Sequence, residues 1–190
     1  MKQTLTKWIL ASVAAVGISS SAFAADALDP ARFKFGVNLA LSPAFGAGLV
    51  AGVSYNYLAN LATGVNLGAR ASLDLAFAGT AVGVLTVAPV ATFDITNGGV
   101  FVGPSIGVGF GGGAASFGFG VLGGIEYNLS PELMLYGQTA LNIAPGFSGN
   151  LVAGADFEIS SPVSVFTEAR VLFGGAASAF GLAAGINYRM

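Results

Sequence analysis

Fourteen charged residues follow position 24, and none of them falls on the outward parity of a strand-like segment. Eleven keep to the other parity: Arg32, Lys34, Arg70, Asp74, Asp94, Glu126, Asp156, Glu158, Glu168, Arg170 and Arg189. The other three lie in an N-terminal tail (Asp26, Asp29) or a turn (Glu132). Successive side chains of a β-strand point to opposite faces, so a parity is a face. Residues 64–77 display it, with Val65, Leu67, Ala69, Ala71, Leu73, Leu75 and Phe77 on one side. Asn66, Gly68, Arg70, Ser72, Asp74 and Ala76 stand on the other. A soluble sandwich or barrel turns its charges out to water and keeps an apolar inside, and a solenoid also carries its charges outside. This chain is 54% hydrophobic and 8% charged, against about 25% charged in soluble domains. Its arrangement reads as the reverse, with charges inside and an apolar surface facing lipid.

Lipid offers no hydrogen-bond partner to an open sheet edge, so the expected fold is all-β, an antiparallel up-and-down transmembrane barrel. The spacing predicts strands near 32–41, 46–57, 64–77, 81–95, 100–111, 116–129, 133–143, 150–159, 163–173 and 179–190. The punctuation is Ser42-Pro43, Thr96-Asn97-Gly98-Gly99, Ser130-Pro131, Ala144-Pro145-Gly146 and Ser161-Pro162. A short motif recurs five times: Tyr55-Asn56-Tyr57, Phe93-Asp94-Ile95, Tyr127-Asn128-Leu129, Phe157-Glu158-Ile159 and Tyr188-Arg189-Met190. Five motifs at one end of five hairpins give ten strands, with both termini at that end. An eight-strand alternative would require one hairpin to be loop, and no stretch is polar enough for it. Aromatics sort by strand end, as the two interfaces of a bilayer favour. Phe33, Phe35, Tyr55, Tyr57, Phe93, Tyr127, Phe157 and Tyr188 mark the terminus-bearing end; Phe45, Phe77, Phe110, Phe117, Phe147, Phe173 and Phe180 mark the other.

Residues 1–24 carry the pattern of a cleavable signal peptide, and 25–190 form the barrel domain. Lys2 and Lys7 precede an apolar run from Trp8 to Ile18, and Ala22-Phe23-Ala24 supplies the small-x-small cleavage pattern. The apolar run is too short to span a bilayer as a helix. The expected location is therefore the bacterial outer membrane.

On these features the chain resembles small bacterial outer-membrane barrels of the OmpA/OmpX-like kind, across its whole mature region. The last strand carries the most specific likeness. Leu182, Ala184, Ile186, Tyr188 and Met190 place apolar or aromatic residues at alternate positions up to the last one. This looks like the terminal signal read by the outer-membrane assembly machinery, although that family usually ends in Phe. The resemblance implies outer-membrane lipid and the assembly machinery as partners; it says nothing of oligomeric state.

The resemblance also implies enzyme barrels as alternatives: phospholipases, lipid A deacylases, palmitoyltransferases and omptin proteases, all of which use a histidine. This chain has no His and no Cys. A carboxylate pair such as Asp156 and Glu158, with Glu126 nearby, has the residue types of glycoside acid–base chemistry, but pairing with Arg70, Arg170 and Arg189 accounts for them more simply. The expectation is a protein that is not an enzyme, with no cofactor, no metal site and no nucleic-acid partner. Gly109 to Gly113 lacks the lysine and helix of a phosphate loop, and serves turns and curvature.

Two functions remain. The first is a small porin-like passive channel, its lumen lined by Lys34, Arg70, Asp74, Glu126, Asp156, Glu158, Glu168, Arg170 and Arg189. The second is a non-conducting, envelope-stabilising barrel whose lumen is closed by salt bridges. Inward charges number five basic and six acidic, which suits internal pairing. Inward glycines such as Gly107, Gly118 and Gly124 leave space that side chains or water must fill. The connections at the end opposite the termini are short and uncharged, which disfavours an adhesin.

Overall fold

The computed structural model describes residues 31–42, 45–55, 60–77, 81–111, 115–144, 146–174 and 178–189. Residues 1–30, where the signal-peptide pattern falls, and Met190 lie outside them. Ten long strands follow in order: β1 (Ala31–Ser42), β2 (Gly46–Tyr55), β3 (Val65–Phe77), β4 (Ala81–Ile95) and β5 (Gly98–Gly111). They continue with β6 (Ser116–Asn128), β7 (Leu133–Ala144), β8 (Ser148–Ser160), β9 (Val163–Gly174) and β10 (Ala179–Arg189). Each pairs antiparallel with its sequence neighbours. β1 also pairs with β10, from Arg32↔Arg189 to Ser42↔Phe180, and this seam closes the barrel. The chain is thus a closed antiparallel ten-strand barrel, and no described helix is long and apolar enough to cross a membrane.

Strand positions agree closely with the period-two pattern, and the departures have local causes. β5 starts at Gly98, earlier than expected, because Thr96-Asn97 alone makes the turn, with Asn97 at φ 63°. Asparagine tolerates that left-handed conformation better than most residues. A three-residue strand, Asn60–Ala62, pairs with the start of β3 in a link that the pattern left unassigned. Its turn into β3 uses Gly64 at φ 77°.

One seam is interrupted. The β4–β5 ladder runs from Val82↔Gly111 to Val87↔Ile106 and resumes at Ala91↔Val102. Pro89 and Pro104 stand in the gap, and neither has an N–H to give to a ladder. Both occupy outward positions, among the apolar residues.

Burial alternates with the register. On β1, Arg32, Lys34, Asn38 and Ala40 are buried, while Phe33, Phe35, Val37 and Leu39 are exposed. The five recurrent motifs fall at the ends of β2, β4, β6, β8 and β10, which antiparallel order brings to one end of the barrel. Asn56, Tyr57 and Met190 of those motifs lie outside the described residues.

Candidate functional site

The candidate site is the lumen. β1, β9 and β7 build its centre. Lys34 on β1 is bonded to Oε1 of Glu168 on β9, and Tyr136 on β7 donates its hydroxyl to the same oxygen at 2.8 Å. Arg170 grips the other oxygen, Oε2, through Nε at 2.9 Å and a terminal nitrogen at 2.5 Å. One carboxylate therefore holds two cations and a phenol.

Toward the termini, Arg32 lies 3.4 Å from Asp156 Oδ2, to which Asn187 donates at 2.8 Å. Arg189 pairs with Glu158 at 2.7 Å in a more open position. Arg32 and Arg189 are direct neighbours across the closing seam, and each is matched by a carboxylate on β8. On the far wall, Arg70 of β3 donates to Glu126 Oε1 of β6 at 2.8 Å, both side chains being under 5% exposed. Apart from Arg170–Glu168, which lies within β9, these bonds join strands two or three places apart, so they run as chords through the lumen and not along its wall.

Beneath the charges lies a set of aromatics that the polarity pattern missed. Phe101, Tyr136 and Phe166 all point inward and are buried. Each pairs in register with a glycine: Phe101↔Gly124, Tyr136↔Gly154 and Phe166↔Gly185. The fit is close. A Cβ on Gly124 would stand 2.5 Å from Phe101 Cζ, and one on Gly154 2.5 Å from Tyr136 Cζ. A Cβ on Gly36 or Gly185 would lie 2.7 Å from the Phe166 ring. Cations lie over the rings. Arg70 Cζ is 3.5 Å from the Phe101 centroid, and Lys34 Nζ is 4.1 Å from that of Phe166 and 5.4 Å from that of Tyr136. Ring quadrupoles favour a cation at that position. The sequence signal was present: an inward aromatic beside an inward glycine one strand away.

The pattern-derived site residues divide as follows. Lys34, Arg70, Glu126, Asp156, Glu168 and Arg170 are buried in the lumen; Glu158 and Arg189 sit nearer its terminus-bearing mouth. Asp74 holds an inward register position opposite Val50 and Val84, and its side chain lies outside the described part. Asp94 is exposed at the end of β4, within 3.5 Å of Asn66. In the C-terminal strand, Leu182, Ala184, Ile186 and Tyr188 all face outward. Leu122, Met134, Val152 and Ala183 fill the lumen with further apolar volume. A separate concavity of about 610 Å³ lies along β8, β9, β10 and β1, where outward Ala153, Ala155, Ala169 and Ala184 sit between Val37 and Leu182. Among the described residues, no group of three acidic side chains is placed to hold a metal ion.

No protein-family model and no curated protein sequence matches the chain. Solved structures do. The outer-membrane phospholipase A of Escherichia coli is 8% identical with a TM-score of 0.50, over 84% of this chain and 96% of that one. The translocator domain of the autotransporter NalP from Neisseria meningitidis is 11% identical with a TM-score of 0.48, over 100% and 97%. OmpT, an outer-membrane protein of Vibrio cholerae in a loop-deletion form, is 12% identical with a TM-score of 0.43, over 85% of this chain. This chain spans 60% of that OmpT chain. At such identities the likeness is one of fold, and the fold is that of outer-membrane β-barrels.

Proposed function

We propose that this outer-membrane β-barrel protein is a structural barrel of the envelope whose lumen is sealed by its own side chains. The observation that carries the reading is the set of buried ion pairs in the lumen: Lys34–Glu168–Arg170, Arg32–Asp156 and Arg70–Glu126, almost wholly inaccessible to water. Ions in a conducting pore need a hydrated path with binding weak enough to release them. Here the cations stack on rings and the rings rest on glycines, so the centre is filled in layers. Buried pairs add little net stability compared with apolar packing, and their placement supports a role in keeping the lumen closed and neutral.

The porin-like reading has one observation in its favour. Inward glycines crowd β5 and β6 near the end opposite the termini, and a Cβ added at Gly107 would meet nothing within 4 Å. Planar-bilayer recording on refolded protein separates the two readings, with heat-modifiable gel mobility proving that the barrel has formed. Silence in correctly folded protein supports the sealed barrel; discrete openings that change on neutralising Arg70 or Arg170 would replace it with the channel.

Export fits the same reading. Cleavage after Ala24 would release a chain beginning at Ala25, which intact-mass measurement on envelope protein tests directly. Leu182, Ala184, Ile186 and Tyr188, with Met190 last, would present the assembly machinery with its alternating pattern, and lipid would contact the outward face. The reading is non-catalytic, supported by the absence of histidine from the chain and the arginine partner held by each of Asp156 and Glu158.

A further inference from the structure

We infer that the outer wall holds one lipid by an acyl chain, in the depression along β8, β9, β10 and β1. Its floor is Ala153 and Ala155 of β8, Thr167 and Ala169 of β9, and Ala184 of β10. The registers make these a single patch. Thr167 pairs with Ala155 on one side and Ala184 on the other, and Ala169 pairs with Ala153. Large exposed side chains surround them. Leu151 and Val171 stand toward the end opposite the termini, Phe157 and Ile186 toward the terminus-bearing end, and Leu135 and Val37 at the flanks. Outward alanines elsewhere sit between larger residues: Ala51 between Phe35 and Leu73, and Ala71 between Val53 and Val87.

The chemistry of the depression calls for an apolar occupant. Four of the five floor residues are alanines and the fifth is Thr167, so the floor has one hydroxyl and no charge. Each floor residue has its backbone in the ladders on both sides, and an apolar neighbour therefore leaves no backbone group without a partner. At about 610 Å³ the depression falls within the range of about 300–1,000 Å³ typical of small-molecule sites.

A second copy of the chain fits this shape badly. A two-fold contact sets a patch against itself, and two hollows face to face enclose a void whose lining forfeits its contacts. A flexible hydrocarbon chain fills the hollow instead. Inside a bilayer the hydrophobic effect does not choose between apolar surfaces, so packing decides what stays bound. A chain in the depression touches floor and rim together, where one on the convex wall touches a single side. It therefore leaves more slowly than the lipids around it. The inference rests on the outward face meeting lipid, and not on whether the lumen is sealed.

Native mass spectrometry tests this on protein refolded in palmitoyl-oleoyl phosphatidylcholine vesicles and released into detergent. The parent should keep one phosphatidylcholine at collision energies that strip the detergent. Ala153→Leu/Ala169→Leu fills the floor and should lower the retained fraction several-fold, whereas Ala51→Leu/Ala71→Leu, on the same face elsewhere, should leave it unchanged. Where the filled variant fails the gel-mobility test for folding, Thr167→Leu takes its place. A folded parent free of lipid, or equal retention by parent and filled variant, would overturn the inference. A dimer mass that disappears on filling would overturn it in favour of a contact between copies. A lipid kept by protein that conducts in planar bilayers would uphold the inference and remove only the sealed lumen.

Discussion

Arg70 on β3 reaches through the lumen to Glu126 on β6, nitrogen to oxygen 2.8 Å, while its guanidinium lies on the ring of Phe101. The pair ties together two strands separated by β4 and β5. Removing one partner breaks a buried ion pair and leaves the remaining charge in the lumen. Arg70→Met or Glu126→Gln should each destabilise the barrel by about 3–5 kcal/mol. The double variant Arg70→Met/Glu126→Leu should recover much of that loss, because it removes both charges of the pair together. Urea unfolding in lipid vesicles reads all three; equal losses in single and double variants would contradict the pairing.

The glycines under the rings should be selective. Gly124→Ala puts a methyl group 2.5 Å from Phe101 Cζ and 2.6 Å from the Gly137 carbonyl oxygen, and overpacking of this kind costs about 1–3 kcal/mol. Gly107→Ala meets no atom within 4 Å, and should stay within about 0.5 kcal/mol of the parent. The same unfolding assay compares them side by side.

Glu168 is the common acceptor of Lys34, Tyr136 and Arg170. Glu168→Ala leaves two cations facing each other without their shared anion, so water should enter to solvate them. Bilayer recordings of this variant should show a leak that prefers anions, as a ring of positive charge dictates. Lys34→Met keeps Glu168 bonded to Arg170 and Tyr136, and should remain silent. An anion leak through Lys34→Met but not through Glu168→Ala would reverse the assignment of the seal.

Charges on the outer face should be costly by depth. Val121 is exposed near the middle of β6, and Val121→Arg should destabilise by about 2–4 kcal/mol in a bilayer. Leu129 lies just past the end of the same strand, and Leu129→Arg should cost about 0–1 kcal/mol, as interfacial positions do. Vesicle unfolding in lipids of matched thickness is the measurement. Equal costs at the two positions would mean that the band of outward residues is not the lipid-facing one.

Much of this architecture is written locally. Parity is a property of neighbouring residues, so Arg70 inside and Leu67 outside can be read without knowing any partner strand. The turn Thr96-Asn97 is legible for the same reason, although the strand resumes at Gly98 sooner than its glycines suggest. Which charges meet is another matter. That Arg32 reaches Asp156 depends on the stagger of β1, β10, β9 and β8 summed around the wall, which no single hairpin reveals. The inward aromatics were missed because polarity alone was used to mark the lumen. Phe166 is as apolar as any outward residue, and only its pairing with Gly185 explains where its ring goes. Asn60–Ala62 was unreadable because three residues hold too little alternation to show a period.

The closing seam has a consequence for how the molecule comes into being. β1 and β10 are the first and last strands described, yet they pair along most of their length. Every other seam joins sequence neighbours and can zip from a turn. This one must bring together the two ends of the chain, the arrangement that carries the highest loop-closure cost and slows folding most. Its register must agree with the stagger that the nine hairpin seams sum to around the wall. The strand that makes it, β10, is also the one with the alternating Leu182, Ala184, Ile186 and Tyr188 on its outer face. Recognition of that strand would therefore hold the slowest partner in waiting while the remaining nine assemble toward it.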